Sequence, residues 1–191
     1  MSLIDELARA RRVSDVLVTG HCILRDRFAR RALIVDVLIL ISSAWLTAMT
    51  FIDPNIAQLF SFGELAPNVT FGILSVTTFI LAIVQLRVDW KQRSDRHDQA
   101  ARAYAIAKLD LGQSLQIMRS LAHEITDIPQ TLLSYQKLGE FLIPIPENQF
   151  TKLKQQHQIK VLTSKIMSRW PMANIFIIKL RLSLKHTLKA M

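Results

Sequence analysis

The side chains of this protein most able to do chemistry sit inside an apolar run. Residues 32–52 read ALIVDVLILISSAWLTAMTFI and carry an aspartate, two serines and two threonines. At 100° per residue on a helix, Ser43, Thr47 and Thr50 fall at about −20°, +20° and −40° from Asp36, so the four share an arc of roughly 60°. Ser42 and Trp45 fall elsewhere. In a second apolar run, residues 69–86 (VTFGILSVTTFILAIVQL), Thr70, Thr77, Thr78 and Gln85 spread over about 100°, away from Ser75. An ionised side chain at the centre of a bilayer costs on the order of 2.5–3.5 kcal/mol on insertion scales. Asp36 enters only about 6 Å beyond residue 32, so its cost is lower. Two readings follow. In one, Asp36 is near-interfacial and pairs with Arg30, Arg31 or a lipid headgroup, and the hydroxyls bond back to carbonyls of their own helix. In the other, several copies assemble and the stripe Asp36, Ser43, Thr47 and Thr50 lines a water path, assisted by Thr77 and Gln85 from the second run. A ring of carboxylates at the mouth of such a path favours cations. One pair of helices cannot enclose a pore, so this second reading requires a homo-oligomer.

Other chemistry is not indicated. The sequence holds no glycine-rich phosphate loop, HExxH, paired cysteines or nucleophile elbow. Cys22 is the single cysteine, which excludes an intrachain disulfide and a thiolate cluster. The histidines His21, His97, His123, His157 and His186 are scattered. Asp95, His97 and Asp98 lie close together in SDRHDQ, but no further ligand completes a metal site, and a solvated helix face is the expected role. Asp110 and Glu124 have no carboxylate partner at useful spacing. The expectation is a protein without catalytic residues, metal or cofactor, and not an enzyme.

The elements that must position the stripe are two membrane spans. Residues 32–52 extend about 31 Å as a helix, matching a hydrocarbon core of roughly 30 Å, and residues 69–86 lie near the short end of the spanning range. Neither run contains Lys or Arg, and the first begins too far into the chain for a cleaved signal peptide. Asp53-Pro54 stops the first helix and Pro67-Asn68 primes the second. The loop 53–68 between them has no Lys or Arg, whereas Arg25, Arg27, Arg30 and Arg31 precede the first span and Arg87, Lys91, Arg93 and Arg96 follow the second. The positive-inside rule then places both termini in the cytoplasm and the loop outside, with Arg25, Arg27, Arg30, Arg31, Arg87 and Lys91 at the membrane surface. The expected fold is all-α: a two-span transmembrane hairpin, residues 32–88, with long cytoplasmic helices, and oligomeric.

Residues 1–31 form an amphipathic lead-in helix, with Leu3, Leu7, Ala10, Val13 or Ser14, Leu17, Ile23 or Leu24, and Phe28 near helical spacing. After the second span, 89–127 is a cytoplasmic helix on which Ala100, Ala101, Tyr104, Ala107 or Lys108, Leu111, Leu115, Met118 and Ala122 form one stripe. Pro129, Gly139, Pro144 and Pro146 make 128–148 a turn-rich connector. The tail 149–191 has nine Lys or Arg and no acidic residue, within a chain of formal charge +9. Its part 150–170 fits a helix with Phe150, Leu153, Leu162, Ile166 and Trp170 loosely on one side. Beyond Pro171, IIKLRLSLK alternates with a strand period, and the conformation of 172–191 stays open. The tail reads as a solvated basic flank or a segment lying on anionic lipid. Aromatics are too sparse there for base stacking, so nucleic acid is not the indicated partner.

This arrangement resembles the SLATT family, two-span effector domains associated with nucleotide-signalling bacterial conflict systems. The resemblance rests on the basic helical lead-in, the hairpin 32–86, and the helix after it with Trp90, His97, Ala100-Ala101, Tyr104 and Leu111. It covers roughly residues 3–125 and leaves out the tail. It implies a pore-forming or membrane-disrupting effector of the bacterial inner membrane in antiviral defence of the abortive-infection type. Its partners would be further copies, the lipid bilayer, and a sensor or nucleotide-signal-producing enzyme of the same system. A reading of a different class also fits: a membrane-anchored scaffold whose basic cytoplasmic region docks a soluble partner.

Overall fold

The computed structural model describes residues 3–49, 67–120, 130–170, 174, 175 and 178. Among these the chain is helical throughout, with no strand: α1 (Leu3–Met49), α2 (Pro67–Val88), α3 (Trp90–Ser120), α4 (Gln130–Phe141) and α5 (Glu147–Arg169). Residues 50–66, which hold Thr50 and nearly all of the expected external loop, lie outside the described residues, as does most of the 172–191 segment. Ile178, within the alternating tail sequence, is helical and donates its N–H to the Asn174 carbonyl at 3.1 Å.

Local chemistry sets the boundaries. α1 runs 47 residues without proline, and Asp5 and Glu6 sit in its first turn, where the helix dipole favours carboxylates. α2 opens on Pro67, whose missing N–H and fixed φ suit the first helical position. α2 and α3 are separated by Asp89 alone. This residue has φ +47°, in the left-handed region that Asp tolerates better than most residues, and its Oδ1 accepts the Gln92 N–H at 3.1 Å as an N-cap of α3. α5 starts after Pro146, which accepts N–H bonds from Gln149 and Phe150, and ends before Pro171.

The chain forms two compact units, Met1–Leu24 with Arg96–Met191, and Arg25–Asp95. In the first, the stripes on α1 and α3 form an antiparallel seam. Leu7, Ala10, Leu111, Leu115, Met118 and Leu132 of α4 form its apolar core. Burial settles the alternatives that spacing left open: Ser14 and Leu24 face inward, whereas Val13 is exposed. Most of the turn-rich connector is helix. α4 occupies Gln130–Phe141 because Leu132 packs into the core and Thr131 shares a 3.0 Å hydrogen bond with Ser114 of α3. Tertiary contact thus outweighs Gly139, which stands in open space.

In the second unit, residues 32–46 of α1 and 71–88 of α2 pair antiparallel. The less exposed positions recur every three or four residues: Ala32, Val35, Ile39, Ser42 and Leu46 on one helix, Phe71, Leu74, Thr78, Leu81, Gln85 and Val88 on the other. This narrow stripe is the spacing of a coiled-coil seam. Outside it the side chains are exposed and mostly apolar, with Asp36, Ser43 and Thr77 among the exceptions. Leu40 is 66% exposed, Phe79 67% and Leu86 85%. Both helices are long and apolar enough to cross a membrane, and almost none of their apolar windows is buried: 6% of the first and 0% of the second. A soluble protein's core helix shows the reverse.

Candidate functional site

The hairpin brings Asp36 and Gln85 together. Gln85 is a seam position of α2, and its Nε2–H donates to Asp36 Oδ1 across the two helices. Its own Oε1 is buried without a protein partner among the described residues. An amide dipole therefore faces the carboxylate on an exposed, otherwise apolar flank. Of the two readings of Asp36, the structure adds a third partner that spacing did not suggest, a side chain of the other span.

The hydroxyls point outward but bond locally. Ser43 Oγ donates to the Leu40 carbonyl at 3.0 Å and Thr47 Oγ1 to the Ser43 carbonyl at 2.9 Å. Thr77 donates to Ile73 at 2.7 Å and Thr78 to Leu74 at 2.8 Å. Ser43, Thr47 and Thr77 are exposed along with Asp36, so this face is lined by oxygen atoms whose hydrogens are turned inward. Such a surface offers acceptors, and Asp36 supplies its charge. Of the basic residues expected at the membrane surface, Arg30, Arg31, Arg87 and Lys91 are exposed, Arg27 is partly buried, and Arg25 pairs with Asp26 at 2.9 Å. At the same end of the hairpin Ser94 Oγ donates to the Arg25 carbonyl at 3.1 Å.

A second polar site lies in the helical unit. His21 and His97 are 1% and 3% exposed, and their Nδ1 atoms are 2.9 Å apart. One imidazole must donate its N–H to the bare Nδ1 of the other, which requires that the accepting ring be neutral. Burial, and then the charge of His97, pulls His21 down to about 4; burial also lowers His97. Tyr104 stacks on His21 with centroids 5.6 Å apart and meets Tyr135 edge-on at 6.4 Å. Burial raises both phenols. Here the expectation for SDRHDQ is corrected: His97 is a buried residue of the seam, since its position continues the stripe Ala100, Ala101 and Tyr104. Asp95 is exposed, and Asp98 pairs with Arg102 one turn on at 2.8 Å. The histidines are 76 positions apart, so no local pattern announces them. The clue available was that His21 falls between Leu17 and Leu24 at seam spacing.

A third cluster joins three helices. Asp15 Oδ1 pairs with Lys108 Nζ of α3 at 2.6 Å, Oδ2 lies 3.7 Å from His157 Nε2 of α5, and His157 Nδ1 hydrogen-bonds Thr19 Oγ1 at 2.9 Å. The face of α5 differs from the expected one. Leu153 is buried at 2% exposed, but Phe150, Leu162 and Trp170 are exposed, and Thr163 at 6% faces inward instead. His157 faces inward where Asp15 and Thr19 of α1 meet it, whereas the buried Thr163 hydroxyl has no protein hydrogen-bond partner among the described residues.

No group of three or more His, Cys, Asp or Glu side chains able to hold a metal occurs among the described residues. An open groove lined by Arg96, Gln99, Phe141, Leu142 and Ile143 offers one cation beside an apolar wall. Comparisons of the chain with family models, with curated proteins and with solved structures gave no match.

Proposed function

We propose that the chain is an oligomeric two-span membrane effector of a bacterial antiviral system of the abortive-infection type, which permeabilises or depolarises the inner membrane when triggered. The observation that carries this reading is a carboxylate, Asp36, set on the outward flank of an apolar hairpin and held by Gln85 of the neighbouring span. An ionisable side chain at membrane depth is costly and faces water or a partner. Further copies packed around that flank would supply both, with Ser43, Thr47 and Thr77 beside it. The resemblance to the SLATT family supports the same role, with a sensor or signal-producing enzyme as trigger. The arginine-rich flanks and the loop without Lys or Arg support cytoplasmic termini.

One observation favours a second reading. The hydroxyls of Ser43, Thr47, Thr77 and Thr78 bond to their own helices, as they do in spans that only anchor. The chain would then be a scaffold whose basic cytoplasmic part docks a soluble partner. Exchange of both spans for an unrelated hairpin separates the readings. An effector loses toxicity when the cognate system is activated, and a scaffold keeps its activity.

A further inference from the structure

α5 is attached differently from the rest of its unit. Where α1 meets α3, the fully buried side chains include Leu7, Leu24 and Leu111. On α5 the buried positions are Leu153 and Thr163, and Gln156, His157, Ile166 and Met167 are partly buried, so polar side chains share its inward face with apolar ones. Three buried side-chain polar atoms lack a protein hydrogen-bond partner among the described residues, and two of them, Gln156 Oε1 and Thr163 Oγ1, are on this helix. Burial of such an atom without a partner opposes docking, because it gives up hydration for nothing.

The groups that α5 touches on α1 do not depend on it. Asp15 has Lys108 at 2.6 Å, and Thr19 Oγ1 donates to the Asp15 carbonyl at 3.1 Å. Departure of α5 therefore leaves no new unpaired charge on α1, and it returns Gln156 and Thr163 to water. Besides the His157 contacts, shape holds the helix: Gly20 lets Leu153 and the preceding loop come close. A Cβ at Gly20 would stand 2.9 Å from Ile145 Cδ1 and 3.7 Å from Leu153 Cδ1. On the opposite side, Lys154, Lys165 and Arg169 are exposed beside Leu162, a basic face by which a partner can draw the helix away.

We propose that α5 is a releasable clamp: a helix seated against the Gly20 notch of α1 by a partly polar, incompletely hydrogen-bonded face, which leaves while the α1–α3 seam stays packed. This assignment does not depend on what crosses the membrane. Release is the conformational step available to a trigger acting on this unit.

Hydrogen exchange read by mass spectrometry, on the full chain in lipid nanodiscs, tests it. Sub-global opening of α5 makes its amides exchange at least about tenfold faster than those of residues 7–24 and 97–118. Gly20→Leu accelerates α5 by about a further tenfold and leaves the seam near its native rate. Should Gly20→Leu disturb folding, Leu153→Ala makes the same test from the other side. Thr163→Val, which removes an unpartnered hydroxyl at nearly constant shape, slows α5 several-fold. Exchange of α5 and seam at one common rate, in the native chain and in Gly20→Leu or Leu153→Ala, would overturn the proposal. So would acceleration by Thr163→Val.

Discussion

The helical unit and the hairpin unit use the same three-and-four spacing and differ in what lies off it. In the helical unit the stripe is apolar at Leu7, Leu24, Leu111 and Leu115, and it also encloses His21, His97 and Ser14. The remainder of that surface is mixed, with charged side chains among exposed apolar ones such as Ile106, Leu109, Ile117 and Leu133. In the hairpin unit the stripe contains Ser42, Thr78 and Gln85, while among the described residues fifteen large apolar side chains between Leu33 and Leu86 are exposed. Full burial of one such side chain is worth about 1.5–3 kcal/mol in water. A hairpin that leaves so many half exposed would be unstable there, and its outward face matches hydrocarbon instead. The comparison teaches that seam spacing identifies a packed helix pair, and that the residues off the seam identify its solvent.

The largest effect that sharpens this contrast comes from equal truncations in the two units. Leu111 is 0% exposed and Leu40 66%. Leu111→Ala lowers the stability of the detergent-solubilised protein by about 2–4 kcal/mol through lost burial and a cavity. Leu40→Ala changes it by less than about 0.5 kcal/mol, because lipid or detergent fills the place of the lost methyl groups. Equal losses in thermal or denaturant unfolding would mean that the exposed face of the hairpin is not lipid-facing.

The histidine pair gives the next largest effect and its sign is fixed. Both rings bind protons more weakly folded than unfolded, where the value is near 6.5. The contribution of His21 is thus whole above about pH 6.5 and disappears as the pH falls toward about 4, and His97 acts in the same direction. The loss approaches about 3 kcal/mol for His21. The melting temperature should fall between pH 7.5 and 4.5. Replacement of both residues by leucine should flatten that dependence while costing little at pH 7.5. A steep acid loss that survives in the double variant would place its origin elsewhere.

Smaller still is the effect at Asp89, between α2 and α3. Asp89→Ala removes the N-cap of α3 and puts a Cβ without a compensating bond into the left-handed region, for about 1–2 kcal/mol. Asp89→Gly loses the cap but relieves the backbone, so it costs less than alanine. The reverse order in unfolding measurements would contradict the left-handed assignment.

Much of the fold was legible in the sequence because its elements are long and periodic. The two apolar runs, the break before Trp90 and the stripe Ala100, Ala101, Tyr104, Ala107, Leu111, Leu115 and Met118 all follow from local spacing. What escaped depended on contacts between distant residues. His21 and His97 meet across 76 positions, α4 forms where prolines and a glycine suggested turns, and α5 buries Thr163 rather than Leu162. At the candidate site, the arc of Asp36, Ser43 and Thr47 could be drawn from the sequence. Its contact with Gln85 could not, since register between two spans is set by packing rather than by either helix alone.

The account rests on Asp36 lying in a conducting path, and single-cell membrane potential tests that most directly. Cells carrying the activated cognate system would be followed with the native chain and with Asp36→Ala, at matched membrane levels of folded protein. The account predicts rapid depolarisation by the native chain and a clear reduction with Asp36→Ala. Depolarisation of the same speed and extent in both would remove Asp36 from the path. A steady potential with the native chain, despite an active trigger, would contradict the effector reading itself and leave the anchored scaffold.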